Sequence, residues 1–138
     1  MIVDERIITF INSLDTKNSE ILEDIEREAL ADNVPIIRRE MQSFLKVLLM
    51  VKKPMRVLEV GTAVGFSALL MSEYVPEECA ITTIENYEKR IPIARQNFVR
   101  AGKEKKITLL EGDAMDVLKT LEGPYDFISV SYTHLTLP

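Results

Sequence analysis

The chain of 138 residues is short of several things, and each shortage removes a class of answer. A single cysteine, Cys79, excludes an internal disulfide and fits a reducing, cytoplasmic setting. A single histidine, His134, has no second histidine or cysteine near it, so it makes no zinc ligand set. Cys79 in turn lacks a histidine partner from the main body, and a cysteine nucleophile is not expected. Basic residues are outnumbered, with 17 Lys and Arg against 22 Asp and Glu and a net charge of -5. That balance argues against a surface that clamps nucleic acid throughout. Local positive charge remains in "IIRRE" (Arg38, Arg39) and "GKEKK" (Lys103, Lys105, Lys106), which reads first as solvated surface. The opening "MIVDERIITFINSL" carries acids early and is too short an apolar run for a signal or a membrane span. There is no repeat and no low-complexity tract.

What is present reads as one globular domain, 46% apolar and 28% charged. Apolar residues at 7, 8, 10, 11 and 14 suit one face of a short helix. Ile21, Leu22, Ile25, Ala29 and Leu30 repeat the spacing, "NVPII" interrupts it, and Phe44, Leu45, Leu48 and Leu49 mark a third helix closed before Pro54. The plain expectation for these N-terminal helices, residues 1–53, is core and packing. After Pro54 the period changes. "RVLEV", "AITTIE", "KITLLEG" and "YDFISV" read as strands, and "FSALLMSEYV", "KRIPIARQNFVRAG" and "AMDVLKTL" read as helices between them. Such alternation predicts an α/β fold, a doubly wound parallel sheet covered on both faces, over residues 54–128.

The stretch "RVLEVGTAVGFSALLM" places Gly61 and Gly65 between a strand and a helix, where open α/β sheets bind ligands. Gly61 allows a sharp turn and close approach, and the helix start after Gly65 offers free N–H groups beside the Ser67 hydroxyl. The spacing G-x-x-x-G is not the G-x-G-x-x-G of dinucleotide sites, and Glu59 would repel a phosphate while welcoming an ammonium. Glu85 ends the second strand, 24 residues after Gly61, where an acid can accept both ribose hydroxyls; the bland reading is a surface acid. Asp113 is expected to end the third strand. Its carboxylate can accept from an adenine amine with Ala114 offering a backbone N–H, or it can simply cap the next helix.

"VLEVGTAVGFSALLM", "ITTIE" and "LLEGDA" resemble the class I S-adenosylmethionine-dependent O-methyltransferases of the catechol and caffeoyl-CoA type, including small bacterial members that methylate 5-hydroxyuridine in tRNA. The resemblance runs from about residue 35 to residue 128 and implies a Rossmann-like methyltransferase sheet, of which the first four strands are here. It implies that Glu59, Gly61 and Ser67 hold the methionine part of S-adenosylmethionine, with Gly65 shaping the turn. Glu85 takes the ribose, Asp113 and Ala114 border the adenine, and Ile37 closes over the cofactor. Phe66 stands where tyrosine is commoner. A divalent cation such as magnesium is implied for the full-length family. Its first carboxylate position corresponds to Ser131 and the others lie beyond residue 138, so its ligands are missing here. The ending "SVSYTHLTLP", residues 129–138, departs from the resemblance and reads as a foreign ending on a shortened frame. The implied partners are a hydroxylated acceptor, tRNA or a catechol-like small molecule, and a second copy in a homodimer, with no membrane. Two alternatives stay open: a catalytically inactive cofactor-binding fragment, and a nicotinamide-dependent dehydrogenase disfavoured by the glycine spacing.

Overall fold

Short runs of Val, Ile, Leu and Thr become strands because branched side chains pack well on a pleated surface, and the longer runs with 3.6-residue spacing become helices. The computed structural model describes residues 4–131. The elements follow in the order α1 (Glu5–Ser13), α2 (Glu20–Ala31), α3 (Arg39–Lys52), β1 (Arg56–Val60), α4 (Phe66–Tyr74), β2 (Ala80–Glu85), α5 (Ile91–Arg100), β3 (Ile107–Glu111), α6 (Ala114–Leu118) and β4 (Phe127–Val130). Among the described residues no helix is long and apolar enough to cross a membrane.

The sheet is four-stranded and parallel, in the order β3-β2-β1-β4. The chain therefore steps one way from β1 to β3 and then returns to the other side of β1. Right-handed crossovers put the connection that carries α6 on the face opposite the earlier ones, which is the doubly wound layout expected from the sequence. The direction reverses between β1 and β4. That reversal is where such sheets open a crevice for ligands, and the glycine turn leaves β1 at that point.

The core lies around α4, whose Phe66, Ala68, Leu69, Leu70 and Met71 are buried between the sheet and the helices α2 and α3. From α2, Leu22, Ile25 and Ala29 enter it, and from α3, Leu45 and Leu49. The expectation that all N-terminal apolar residues serve packing is corrected here. Helix α1 buries none of its residues, and Ile7, Phe10, Ile11 and Leu14 are exposed. Leu30, Phe44 and Leu48 are exposed as well. The physical reason is that, among the described residues, α1 packs chiefly on α3, which leaves much of its apolar stripe uncovered. Helix α2 is tied to α3 by polar contacts instead: Arg39 reaches Glu23 at 2.9 Å and Glu26 at 3.3 Å, and buried Gln42 donates to Glu26 and to the Ile37 carbonyl.

Two further sequence expectations shift. β3 ends at Glu111, so Asp113 lies past the strand, as the N-cap of α6. β4 keeps the end expected from "YDFISV" but starts two residues later, and it takes in the first residues of the ending set apart as atypical: Glu59 pairs with Ser129, Val60 pairs with Val130, and the Ser131 N–H donates to the Val60 carbonyl at 2.8 Å. Ser129, Val130 and Ser131 thus belong to the sheet edge and its exit. The rest of the expected atypical ending, including His134, lies outside the described residues. Cys79 is buried just before β2, and burial pushes its thiol up from its ordinary value.

Candidate functional site

The turn after β1 is built from backbone positions that few residues tolerate. Gly61 has φ +97° and Gly65 has φ +87°, both in the left-handed region that favours glycine. A Cβ on Gly61 would lie 2.8 Å from the Ser131 carbonyl oxygen, and one on Gly65 would lie 2.6 Å from Phe98 on α5. Gly61 was expected to leave room for a ligand; the close neighbour it admits is the exit of β4. Gly65 lets α4 and α5 close on each other. Between them Ala63 sits at φ 49°, and its N–H is held by Glu85.

Glu59 is fully buried beneath this turn. Its side chain points toward α4, where Ser67 donates one hydrogen bond to it, and Thr83 on β2 donates another at 2.6 Å. Thr83 shares a 2.6 Å contact with the Thr62 hydroxyl of the glycine turn. Register explains the grouping, because Thr83 and Ser129 are the Cα partners of Glu59 on the two neighbouring strands. Burial disfavours the charged carboxylate and pushes Glu59 up to about 7; the two hydroxyls pull it down less than burial raises it, and the charge of Glu85 adds to the rise.

Glu85 closes β2 and is nearly buried. One carboxylate oxygen accepts from the Ala63 N–H at 2.7 Å, and the other from the N–H groups of Asn86 at 3.0 Å and Tyr87 at 2.9 Å. Roughly three of its four acceptor positions are thus taken by backbone. That leaves about one acceptor position for a ligand in the crevice Glu85 lines, so a second ligand hydroxyl has to share an oxygen. Asp113 is exposed and caps α6 through the Met115 N–H at 2.9 Å, as the bland reading had it, while its residue borders the same crevice.

Three adjoining hollows run along the carboxyl ends of the strands. The first, about 210 Å³, gathers Gly61, Glu85, Tyr87, Arg90, Asp113 and Ala114. A neck of about 20 Å³ holds Ile37, Gly61 and Ser67. The third, about 630 Å³, is mostly apolar and lies between α3 and β4, with Ile37, Met41, Phe44, Leu48, Ser67 and Val130 in its walls. Gly61, Ser67, Ile37, Glu85, Asp113 and Ala114 are therefore brought together. Glu59 and Gly65 line none of the three; they act behind the wall. Thr62, Thr83, Tyr87 and Arg90 were missed from the sequence. The one signal for Thr83 was a polar residue on the inward face of "AITTIE". Arg90, which lies 5.2 Å over the Tyr87 ring, had no signal beyond following the strand.

The expected cation position is Ser131, at the exit of β4. Its hydroxyl carries no charge, and no group of three His, Cys, Asp or Glu side chains that could hold a metal occurs among the described residues. These residues do not fit a divalent cation, because a hard dication needs several charged or carbonyl oxygens together.

A sequence profile for the O-methyltransferase family matches residues 12–132. The chain belongs to the O-methyltransferase family. Among relatives, it is 31% identical over 91 residues to a catechol O-methyltransferase of Niastella koreensis, covering 63% of this chain and 41% of that protein. It is 36% identical over 76 residues to a catechol O-methyltransferase of Mycobacterium tuberculosis, covering 54% and 34%. The SAH-bound Podospora anserina methyltransferase PaMTH1 superposes with a TM-score of 0.84 at 28% identity, over 91% of this chain and 56% of that one. This O-methyltransferase family chain thus matches about two-fifths or less of the length of those two curated relatives. The family match favours methyl transfer over the nicotinamide alternative.

Proposed function

We propose that this chain binds S-adenosylmethionine across the three hollows and that the whole protein transfers its methyl group to a hydroxyl. The observation that carries the reading is the pairing of two acids around one glycine turn at the strand-order reversal. Glu85 faces a hollow fit for a nucleoside, and Glu59 stands one hydroxyl behind Ser67. Glu85 supplies charge-assisted acceptance for a ribose, and Tyr87 with Ala114 borders a base. Ser67 faces the neck, so a ligand ammonium there is close to a buried carboxylate without displacing it.

The sulfonium of the cofactor supplies an already activated methyl group. What remains for the protein is to hold an acceptor oxygen in line with it and to keep water out. The apolar hollow beside Ser67 does the holding. Met41, Phe44, Leu45 and Leu48 give it apolar walls suited to a small phenol or catechol. That favours a small aromatic acceptor over a modified uridine in tRNA. Of the basic residues noted in the sequence, Arg38 alone borders this hollow. Lys103, Lys105 and Lys106 precede β3, at the opposite end of the sheet, and Lys106 is engaged by the Pro76 and Glu77 carbonyls. No step is routed through a cation.

The test is calorimetry followed by transfer. S-adenosylhomocysteine should bind and NADH should not. Radiolabelled methyl donor should label catechol in preference to tRNA carrying 5-hydroxyuridine. NADH binding without S-adenosylhomocysteine binding would overturn the cofactor reading, and preferential labelling of tRNA would overturn the acceptor.

A further inference from the structure

A carboxylate as deeply buried as Glu59 ordinarily has a cation beside it. Here its partners are two neutral hydroxyls, Ser67 from α4 and Thr83 from β2. Ser129 flanks it from β4 in register and is uncharged. The charge that acts on it from its surroundings is that of another acid, Glu85. Among the described residues the site is therefore built one positive charge short.

The hydroxyls around it form a line that can run in either direction. In the Thr62–Thr83 contact either oxygen can donate. With Glu59 ionised, Thr62 donates to Thr83 and Thr83 to Glu59. With Glu59 protonated, the carboxyl can donate to Thr83, and Thr83 to Thr62 on the glycine turn. Ser67 completes the arrangement, because it touches Glu59 on one side and the neck on the other. We propose that Thr83 is a positioning residue that links the protonation of Glu59 to occupancy of the cleft, so that a cationic ligand group seated at Ser67 expels a proton from Glu59. The proposal rests on the cofactor reading above, since it needs a ligand that carries an ammonium.

The balance of the step is simple. The ligand brings one positive charge next to Ser67, the Glu59 O–H bond breaks, and the proton leaves to solvent. No bond within the ligand changes. Near pH 7 burial holds Glu59 about half protonated, so binding should release roughly half a proton. Affinity should be roughly eightfold weaker at pH 6 than at pH 7.5, by the same linkage.

The experiment is calorimetric titration of the 138-residue chain with S-adenosylhomocysteine in buffers of different ionisation enthalpy, from pH 6 to pH 8.5. Proton release that peaks below pH 7.5 and disappears by pH 8.5 is the expected result. Thr83→Val removes the donor to the charged form and should move the midpoint of the pH dependence up by about one pH unit, and Thr83→Ser should restore it. A general loosening of the fold would weaken binding at every pH without moving that midpoint. Binding with no proton release and no pH dependence in the unaltered chain would overturn the linkage while leaving the cofactor reading intact, and that measurement does not depend on any variant folding. An unmoved midpoint in a folded Thr83→Val protein would overturn the role of Thr83. Absence of S-adenosylhomocysteine binding at every pH would overturn the cofactor reading and the linkage with it.

Discussion

Replacing Glu59 by glutamine should make the ligand-free protein more stable in mild alkali, although it removes a residue at the centre of the site. Burial holds the folded-state value near 7 against an ordinary 4.5. The folded chain therefore binds the proton more tightly than the unfolded chain. The stabilising contribution is complete below about pH 4.5 and is lost as pH rises through about 7. At about 1.4 kcal/mol per tenfold change, the whole effect is roughly 3 kcal/mol, of which about 2 kcal/mol falls between pH 5.5 and pH 8.5. Glutamine is the neutral isostere and does not titrate; its oxygen accepts from one of the Ser67 and Thr83 hydroxyls, and its NH2 donates to the other. Urea unfolding followed by far-ultraviolet circular dichroism, on both proteins at several pH values, measures the difference directly and cancels every other titrating group. The stability of Glu59→Gln relative to the parent should grow by about 2 kcal/mol across that interval. A difference that stays constant with pH, or one that shrinks as pH rises, would refute the reasoning, because the folded chain would then hold the Glu59 proton no more tightly than the unfolded chain does.

Gly65→Ala places a Cβ at 2.6 Å from Phe98 in a left-handed backbone, and should cost about 2–4 kcal/mol in urea unfolding. Glu85→Gln should weaken S-adenosylhomocysteine binding by about 1.5–3 kcal/mol in calorimetry, the scale of losing charge-assisted acceptance. Phe44→Ala alters a side chain that is 56% exposed, so stability should change by less than about 1 kcal/mol, while the KM for a phenolic acceptor rises several-fold.

The α/β architecture and all ten elements were legible in the sequence, because the change of period at Pro54 is a physical change from helix faces to buried parallel strands. "RVLEV" and "AITTIE" form strands with the expected bounds, since aliphatic and β-branched residues make up most of each. The exposure of α1 was not legible. Its apolar stripe has the spacing of a core helix, and only the tertiary arrangement shows that it packs chiefly on α3 and stays exposed. In the site, the glycines and the acids at strand ends stood out because those residue types answer backbone and charge constraints. Thr62 and Thr83 did not. A threonine in a strand satisfies β-propensity whether or not its hydroxyl has work to do, and its pairing with Glu59 exists only through register between strands 24 residues apart. Ser131 stood out as the place where the resemblance implies a metal carboxylate that is missing; what the sequence did not show is that its backbone lies against Gly61.

The return of β4 to the far side of β1 also sets an order of assembly. β1, β2 and β3 meet their partners across short stretches of chain, whereas β1 and β4 are joined over about 70 residues, with the Asp126 carboxylate reaching back to the N–H groups of Met55 at 2.7 Å and Arg56 at 3.0 Å. Closing a long loop is entropically dearer than closing a short one, and pairings far apart in sequence form late. A chain growing from its N-terminus has its glycine turn well before it has the wall that Ser131 sets against it. The cleft is therefore completed by the pairing that closes the longest loop in the sheet. A ligand that needs both walls can engage only chains that have made that contact, and by mass action it holds them there.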